Sequence, residues 1–168
     1  MALVKTDRLS SCAEQLSQAL TSNVPGRERD WTESVHSALS CVKQALAEHA
    51  VTSEAPDGPL ATINRSAPPT LPTVSRQVAV LRKDHTEFLQ QASALESELR
   101  GALEAFCGSA SAPDIDPTLP RAPACNTVPD FGTIRESAEK LVTALRQHQE
   151  AESLLLLDTV NTDIGVGD

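Results

Sequence analysis

Three of the four histidines in this 168-residue chain lie at positions where a helical repeat predicts apolar side chains. His49, His85 and His148 each continue a line of apolar residues that recurs every three or four positions, so each imidazole is expected to face a core of packed helices. His36 lies one position away from such a line and is predicted to lie at the surface or at its boundary. A buried imidazole needs hydrogen-bond partners or a metal ion to offset its lost hydration.

Carboxylates near these histidines could supply either kind of partner. Glu152 follows His148 by four residues and therefore lies one helical turn away on the same face. Glu54 follows His49 by five residues, near that face at the end of a predicted helix. Neutral imidazoles and carboxylates from facing helices are the ligands that helical bundles use for iron, manganese or zinc. The sequence therefore predicts a metal site formed by His49, Glu54, His85, His148 and Glu152.

A second interpretation of the same residues needs no metal. His148 and Glu152 could form a hydrogen-bonded polar pair within the core, and His49 lies close enough to a helix end to reach the surface. Asp84 and Glu87 flank the line that contains His85, and they are predicted to belong to a solvated helix face.

Proline-rich stretches divide the chain into the elements that must position these residues. The two longer stretches cover residues 55–72 and 108–130, and a shorter break lies at Pro25-Gly26. The aspartates Asp30 and Asp130 each precede an aromatic residue that opens a periodic run, which is typical of N-caps. These boundaries predict one all-α domain over residues 1–160 and a flexible C-terminal tail over 161–168. Its helices are expected at residues 3–23, 30–54, 73–107 and 131–157.

Short-range periodicity and few aromatic residues favour an up-down four-helix bundle, in which neighbouring helices run antiparallel. With a rise of about 1.5 Å per residue, His85 and His148 are then expected at similar heights, roughly 7–8 Å apart along the axis. His49 reaches the same layer if the connection over residues 55–72 climbs along the bundle. A separation of more than about one helical turn between any two of the three would exclude a shared metal.

The surroundings of the three histidines resemble those in the hemerythrin-like (HHE cation-binding) family, whose members are four-helix bundles with a non-haem iron centre. The likeness is carried by A-L-A-E-H-A-V-T-S-E at 45–54, L-R-K-D-H-T-E-F-L at 81–89 and L-R-Q-H-Q-E-A-E-S-L-L-L-L at 145–157. The resemblance implies that His49 and Glu54, His85, and His148 and Glu152 are the metal ligands.

The chain departs from that family at two ligand positions. Family members usually carry another histidine on the first helix, and this chain has none there. Leu89 stands where the third helix of the family often carries a second histidine. The resemblance therefore implies a reduced site, either mononuclear or one that has lost its metal, and not reversible oxygen binding by two irons.

Composition narrows the classes of partner. A formal charge of −9 and a pI near 4.9 argue against nucleic acid and against an anionic membrane surface, since both are bound through Lys and Arg.

No signal-like start and no apolar run of membrane-spanning length occur, which predicts a cytoplasmic protein. The scattered cysteines are then expected to be reduced, buried thiols without a role in metal binding. They are Cys12, Cys41, Cys107 and Cys125.

Two hypotheses from different classes follow from these observations. The first is a metal-binding, hemerythrin-like bundle, with iron ahead of zinc or manganese, that serves sensing, storage or protection against oxidants. The second is a metal-free helical module that binds a protein partner through an acidic face or a groove. A third hypothesis, an enzyme, has little support, because few pairs of a nucleophile and a base are evident in the sequence.

Overall fold

The computed structural model describes residues 3–22, 26–66, 72–108 and 130–164. Helices occupy nearly all of these ranges and no strand occurs within them, so the all-α prediction is confirmed. The elements are α1 (Leu3–Thr21), α2 (Glu28–Glu54), α3 (Pro59–Ser66), α4 (Pro72–Gly108) and α5 (Phe131–Ile164).

Two of these elements differ from the sequence prediction. The short α3 lies inside the proline-rich connection over residues 55–72, where the sequence predicted no helix. Pro59 is its first helical residue, a position where the missing N–H of proline costs nothing. The second element that differs is α5, which continues to Ile164, past the predicted helix end at residue 157 and into the expected tail. Most of the second proline-rich connection and residues 165–168 lie outside the described ranges.

One of the two N-caps predicted from the sequence is present in the structure. Asp130 is the predicted N-cap of α5, and its Oδ1 accepts hydrogen bonds from the backbone N–H of Gly132 at 3.0 Å and of Thr133 at 3.3 Å. The hydrogen bond that the Thr133 hydroxyl donates to Oδ2, together with these two, holds the pKa of Asp130 below its usual value. The prediction of Asp30 as an N-cap is wrong, because α2 already begins at Glu28. Asp30 instead lies in the first turn, where its charge favours the helix dipole.

Four long helices close a ring around the main core. In this ring α1 packs against α2 and α5, and α4 packs against α2 and α5. The side chains that fill the ring are almost all aliphatic, and burying each of the larger ones contributes roughly 1.5–3 kcal/mol. The most deeply buried include Leu9, Leu16, Val35, Leu39, Val42, Leu46, Ala92, Leu99, Leu141 and Leu145.

A second, smaller apolar cluster lies at one end of the ring, where α3 packs against α2, α4 and α5. Leu60 and Ile63 of α3 are fully buried there. They meet Val78 and Leu81 of α4 and Leu155 of α5. On α4 this cluster ends at Leu81 and the main core resumes at Phe88, about two turns further along the helix, and polar side chains occupy the gap.

The turn that leads from α2 into α3 requires glycine. Gly58 donates its N–H to the carbonyl oxygen of Ala55 at 2.8 Å and accepts from the N–H of Thr62. A Cβ at this position would lie 2.7 Å from the carbonyl oxygen of Ser53 and closer still to that of Thr52. Glycine therefore allows the turn to close directly onto the last turn of α2.

Cys12 of α1 and Cys41 of α2 form a disulfide, with Cα atoms 5.8 Å apart. The prediction of free thiols is wrong for this pair, whose proximity arises from the packing of two helices and leaves no short spacing in the sequence. The side chains of Cys107 and Cys125 lie outside the described part of the structure. Among the described helices, none combines the length and apolar character needed to cross a membrane.

Candidate metal centre

The three histidines predicted to face the core meet in one layer of the bundle. The ring centroids of His85 and His148 are 4.7 Å apart, those of His49 and His85 5.2 Å, and those of His49 and His148 6.1 Å. One ring nitrogen of each histidine lies within 4.8 Å of the corresponding nitrogens of the other two. The predicted convergence of α2, α4 and α5 at this height is confirmed.

This layer is buried. His85 and His148 are 1% and 4% exposed, and Glu152 is 6% exposed. Together with Ser53 they make up nearly all the buried polar side chains of the described chain; the other is Thr32, whose hydroxyl donates to the carbonyl oxygen of Glu28. The layer lies between the two apolar clusters, so its electrostatic interactions are little screened by water.

A carboxylate holds the outer nitrogen of two of the rings. Nδ1 of His85 lies 2.8 Å from Oε1 of Glu54, and Nδ1 of His148 lies 3.2 Å from Oδ2 of Asp84. An ionised carboxylate can only accept a hydrogen bond, so both Nδ1 atoms must carry the proton. A neutral imidazole has one N–H, which leaves a lone pair on Nε2 of each ring.

These two lone pairs point at each other. Nε2 of His85 and Nε2 of His148 are 2.9 Å apart, which is a repulsive arrangement unless a cation lies between them. That cation is either a proton or a metal ion. Burial lowers the pKa of His148, the positive charge of a protonated His85 lowers it further, and the hydrogen bond to Asp84 only partly opposes this. A charged imidazole pair is thus disfavoured, and neutral rings suited to metal binding are favoured.

Glu152 supplies a negative charge beside the third ring. Its Oε2 lies 2.9 Å from Nε2 of His49, and its Oε1 accepts a hydrogen bond from the Ser53 hydroxyl at 2.9 Å. Burial raises the pKa of Glu152, but the hydrogen bonds from His49 and Ser53 outweigh it, so the net pKa lies below the usual value. The buried carboxylate is therefore ionised at neutral pH.

The donor set fits a divalent transition metal. Zinc and similar ions bind imidazole nitrogen at about 2.0–2.1 Å, so two nitrogens on a tetrahedral ion lie about 3.4 Å apart. The 2.9 Å between the Nε2 atoms of His85 and His148 needs to widen by a few tenths of an ångström. Small changes in side-chain torsion supply such a shift. Carboxylates on the far side of ligating histidines are the usual arrangement that fixes the tautomer and orientation of the ring.

All five predicted site residues join one network, but in different positions. His49, His85 and His148 form the inner group, and Glu152 contacts it at His49. Glu54 lies behind His85 with its side chain 37% exposed, on the outer edge of the layer.

Sequence reasoning misplaced Asp84 and overlooked Ser53. Asp84 was predicted to be solvated, but it turns from its helix edge towards α5 and contacts His148. The solvated-face prediction agrees with the structure for Glu87, which pairs with Lys83 on the surface. Ser53 could have been found, because it follows His49 by four residues, as Glu152 follows His148. Phe88 packs edge-on against the ring of His148, with centroids 5.5 Å apart.

Comparison of the chain with protein-family models, with curated proteins and with solved structures gives no match. The resemblance to the hemerythrin-like family is therefore carried by the residues of α2, α4 and α5 quoted above.

Proposed function

We propose that this protein binds one divalent transition-metal ion in the histidine layer. The observation that carries the proposal is the pair of Nε2 atoms on His85 and His148, which face each other at 2.9 Å while both Nδ1 atoms are engaged by carboxylates. His49 completes the group of nitrogen ligands, and Glu152 serves as a fourth ligand once metal binding releases the proton between its Oε2 and Nε2 of His49. Such a set of imidazoles and a carboxylate is typical of zinc and non-haem iron sites.

In this proposal Glu54 and Asp84 are positioning residues. Each accepts the Nδ1 proton of one histidine, so that Nε2 is the nitrogen presented to the ion. The site is mononuclear, because the described part of the chain holds three histidines at this layer and not the larger set that two metals require. Iron is the first candidate by resemblance to the hemerythrin-like family, and zinc and manganese compete for the same ligands.

The bundle that we propose is of the up-down, hemerythrin-like kind. The order of contacts between neighbouring helices supports it: Arg8 pairs with Glu48 while Cys12 pairs with Cys41, so numbers rise on α1 as they fall on α2. The same opposite order holds for the other neighbouring helices. Between α2 and α4 the contacts are Lys43–Glu96 and Glu54–His85, and between α4 and α5 they are His85–His148 and Phe106–Phe131. Between α1 and α5 they are Ser10–Gln149 and Glu14–Arg146.

The role we assign is sensing, storage or protection against oxidants. Apolar side chains cover the layer on both sides, which favours retention of an ion over rapid turnover of a substrate. Phe88 adds an aromatic wall beside His148.

One observation favours a second candidate, the metal-free interaction module. Every buried side-chain nitrogen and oxygen of the layer has a hydrogen-bond partner; within the described ranges the orphan is Nε1 of Trp31, far from the layer along α2. A proton shared between His85 and His148 would then replace the metal, and the layer would be a structural polar network.

Metal analysis separates the two candidates. The chain, produced in iron-supplemented cells without a metal-binding tag, is expected to hold about one metal ion per molecule by ICP-MS. His148→Ala should remove that metal, whereas His36→Ala, on the half-buried boundary of α2, should retain it. An ion present at about 100 times its dissociation constant also stabilises the folded protein by roughly 2.7 kcal/mol, which a thermal scan detects. Metal-free protein that takes up neither Fe(II) under anaerobic conditions nor Zn(II) would overturn the proposal and favour the proton-sharing network.

A further inference from the structure

A pocket of about 500 Å³ opens between α1 and α2, beside the disulfide that joins the two helices. Its volume lies within the range of small-molecule pockets, roughly 300–1,000 Å³. None of the described side chains that line it is charged, although charged residues make up 22% of the chain. Cys41 lies in its wall, and its polar lining comes from Gln15, Gln18, Ser22, Ser34 and Ser37.

The two sulfurs of the disulfide differ in their exposure. Cys12 is 3% exposed and belongs to the main core. Cys41 packs against the outside of that core, is partly exposed and lines the pocket. Its side chain leans back along α2 towards Ser37, which lies one turn earlier on the same face. A molecule in the pocket therefore reaches Sγ of Cys41, whereas Cys12 stays buried.

The polar groups of the pocket suit the peptide groups of a ligand. The amides of Gln15 and Gln18 and the hydroxyls of Ser34 and Ser37 make no hydrogen bond to any residue in the described ranges. Amides and hydroxyls both donate and accept, so they pair with peptide N–H and C=O groups without a charge. Seven residues of α2 separate Ser34 from Cys41, which is about 10 Å and equals the span of about three extended residues.

We propose that this pocket admits a small peptide thiol of the glutathione class, which opens the disulfide at Cys41 and remains attached there. The thiolate of the ligand attacks Sγ of Cys41 and forms a new S–S bond. The bond to Cys12 breaks, and its electron pair leaves with Sγ of Cys12, which then takes up a proton from water. One disulfide replaces another, so the step needs no oxidant or reductant besides the thiol.

The burial of Cys12 favours retention of the attached thiol. An apolar environment disfavours a thiolate, and only a thiolate attacks a disulfide. The same burial slows the first attack, because Cys12 has to leave as a thiolate, but its protonation then draws the exchange forward. Cys12 is in turn slow to expel the bound thiol and restore the link. The reaction is independent of a metal in the histidine layer.

Mass spectrometry of the oxidised protein after treatment with reduced glutathione tests the proposal. Cys107→Ser and Cys125→Ser are combined so that no other thiol of the chain exchanges with the link. After quenching by alkylation, peptide mapping should find the glutathionyl group on Cys41 and the alkyl group on Cys12. In urea both sulfurs are open to attack, so the glutathionyl group should divide between them.

Two further substitutions test the route and the class of thiol. Ser37→Phe places a ring beside Cys41 at an exposed position and should slow formation of the adduct severalfold. Ser11→Phe, exposed on α1 outside the pocket, is the matched control and should react as the parent protein does. Gln18→Leu removes one amide without closing the pocket. It should slow attack by glutathione severalfold, but not attack by β-mercaptoethanol, which has no peptide groups.

The contrary results are distinct. An adduct on Cys12, or an even division in the folded protein, would show that attack follows unfolding and would overturn the proposal. An unchanged rate in Ser37→Phe would mean that the thiol does not enter through the pocket. Equal slowing of both thiols in Gln18→Leu would exclude recognition of peptide groups. Starting protein without the link, or reduction to two thiols with no adduct at any time, would equally overturn it.

Discussion

Nε2 of His85 and Nε2 of His148 lie 2.9 Å apart in the buried layer, and neither ring is free to present its other nitrogen. Glu54 of α2 fixes the first ring and Asp84 of α4 fixes the second. The geometry of the His85–His148 pair therefore depends on α2, α4 and α5 together. A small shift of any one of these helices should change the contacts that the other two make in the layer.

The contact between Asp84 and His148 predicts an effect on metal affinity without loss of the site. Asp84→Ala removes the acceptor that keeps the proton of His148 on Nδ1, so metal affinity should fall about 10–100-fold while the stoichiometry stays unchanged. Asp84→Asn should recover part of the loss, because its amide oxygen still accepts a hydrogen bond. Competition with a chelator of known affinity measures the effect.

Glu87→Ala is the matched control, since Glu87 lies three residues further along α4 and pairs with Lys83 in solvent. An unchanged affinity in Asp84→Ala would mean that this carboxylate does not orient His148.

The lowered pKa of His148 predicts how the metal-free protein responds to acid. Its ordinary value is 6.5, and burial lowers the folded-state pKa below that. The unfolded chain therefore takes up a proton near pH 6.5 while the folded chain does not, so the free energy of unfolding falls as the pH drops below about 6.5. Glu152 acts in the same direction at lower pH: its contribution is present above 4.5 and is lost as the pH falls through its lower folded-state pKa.

Urea midpoints measured from pH 8 to pH 4 should therefore be level at the alkaline end and decline below about 6.5. The decline should become shallower in His148→Ala and persist in His36→Ala. A wild type whose midpoint rises on acidification would contradict the neutral state assigned to the buried ring.

Two glycines with opposite surroundings predict opposite effects of alanine. At Gly58 a Cβ would meet the backbone oxygens of Thr52 and Ser53, which cannot move aside without distorting α2, so Gly58→Ala should destabilise the protein by roughly 2–3 kcal/mol. Gly101 is helical with nothing within 4 Å of an added Cβ, so Gly101→Ala should stabilise it by about 0.5–1 kcal/mol. Chemical denaturation measures both. A neutral Gly58→Ala would show that the turn into α3 is not close-packed.

The disulfide between α1 and α2 predicts a redox-dependent stability. Cys12 and Cys41 are separated by 29 residues, and closing a loop of that length stabilises a protein by roughly 3–4 kcal/mol in the chain-entropy description. The urea midpoint of the oxidised wild type should fall when a thiol reductant is added, and that of Cys41→Ser should not change. If thiol titration of oxidised, unfolded protein finds all four cysteines free, the link does not form.

Local pattern was enough to predict the long helices and the histidine layer. The lines of apolar residues on α2, α4 and α5 define the buried faces, and three imidazoles on those lines have to face the same interior. The common height of His85 and His148 also followed, because helical rise converts a residue number into a position along the axis. That of His49 depended in addition on how far the connection over residues 55–72 climbs along the bundle.

The structural features that could not be predicted from the sequence depend on contacts between different helices. The short α3 has two buried apolar residues, Leu60 and Ile63, too few to establish a period. Asp84 was misplaced because its partner His148 is on another helix, and its own helix shows a polar residue at the edge of the apolar line. The Cys12–Cys41 pairing depends in the same way on the register of two helices.

The cover that α3 forms over the histidine layer has a kinetic consequence. Leu60 and Ile63 are fully buried against α4 and α5, so solvent does not reach the layer from that end of the bundle while α3 is docked. Exchange of an ion with bulk water through this end of the bundle then requires α3 or the last turn of α2 to open transiently, and the frequency of that opening limits exchange by this route. Hydrogen exchange at the amides of α3 should therefore report the opening events that admit a chelator from this end of the bundle.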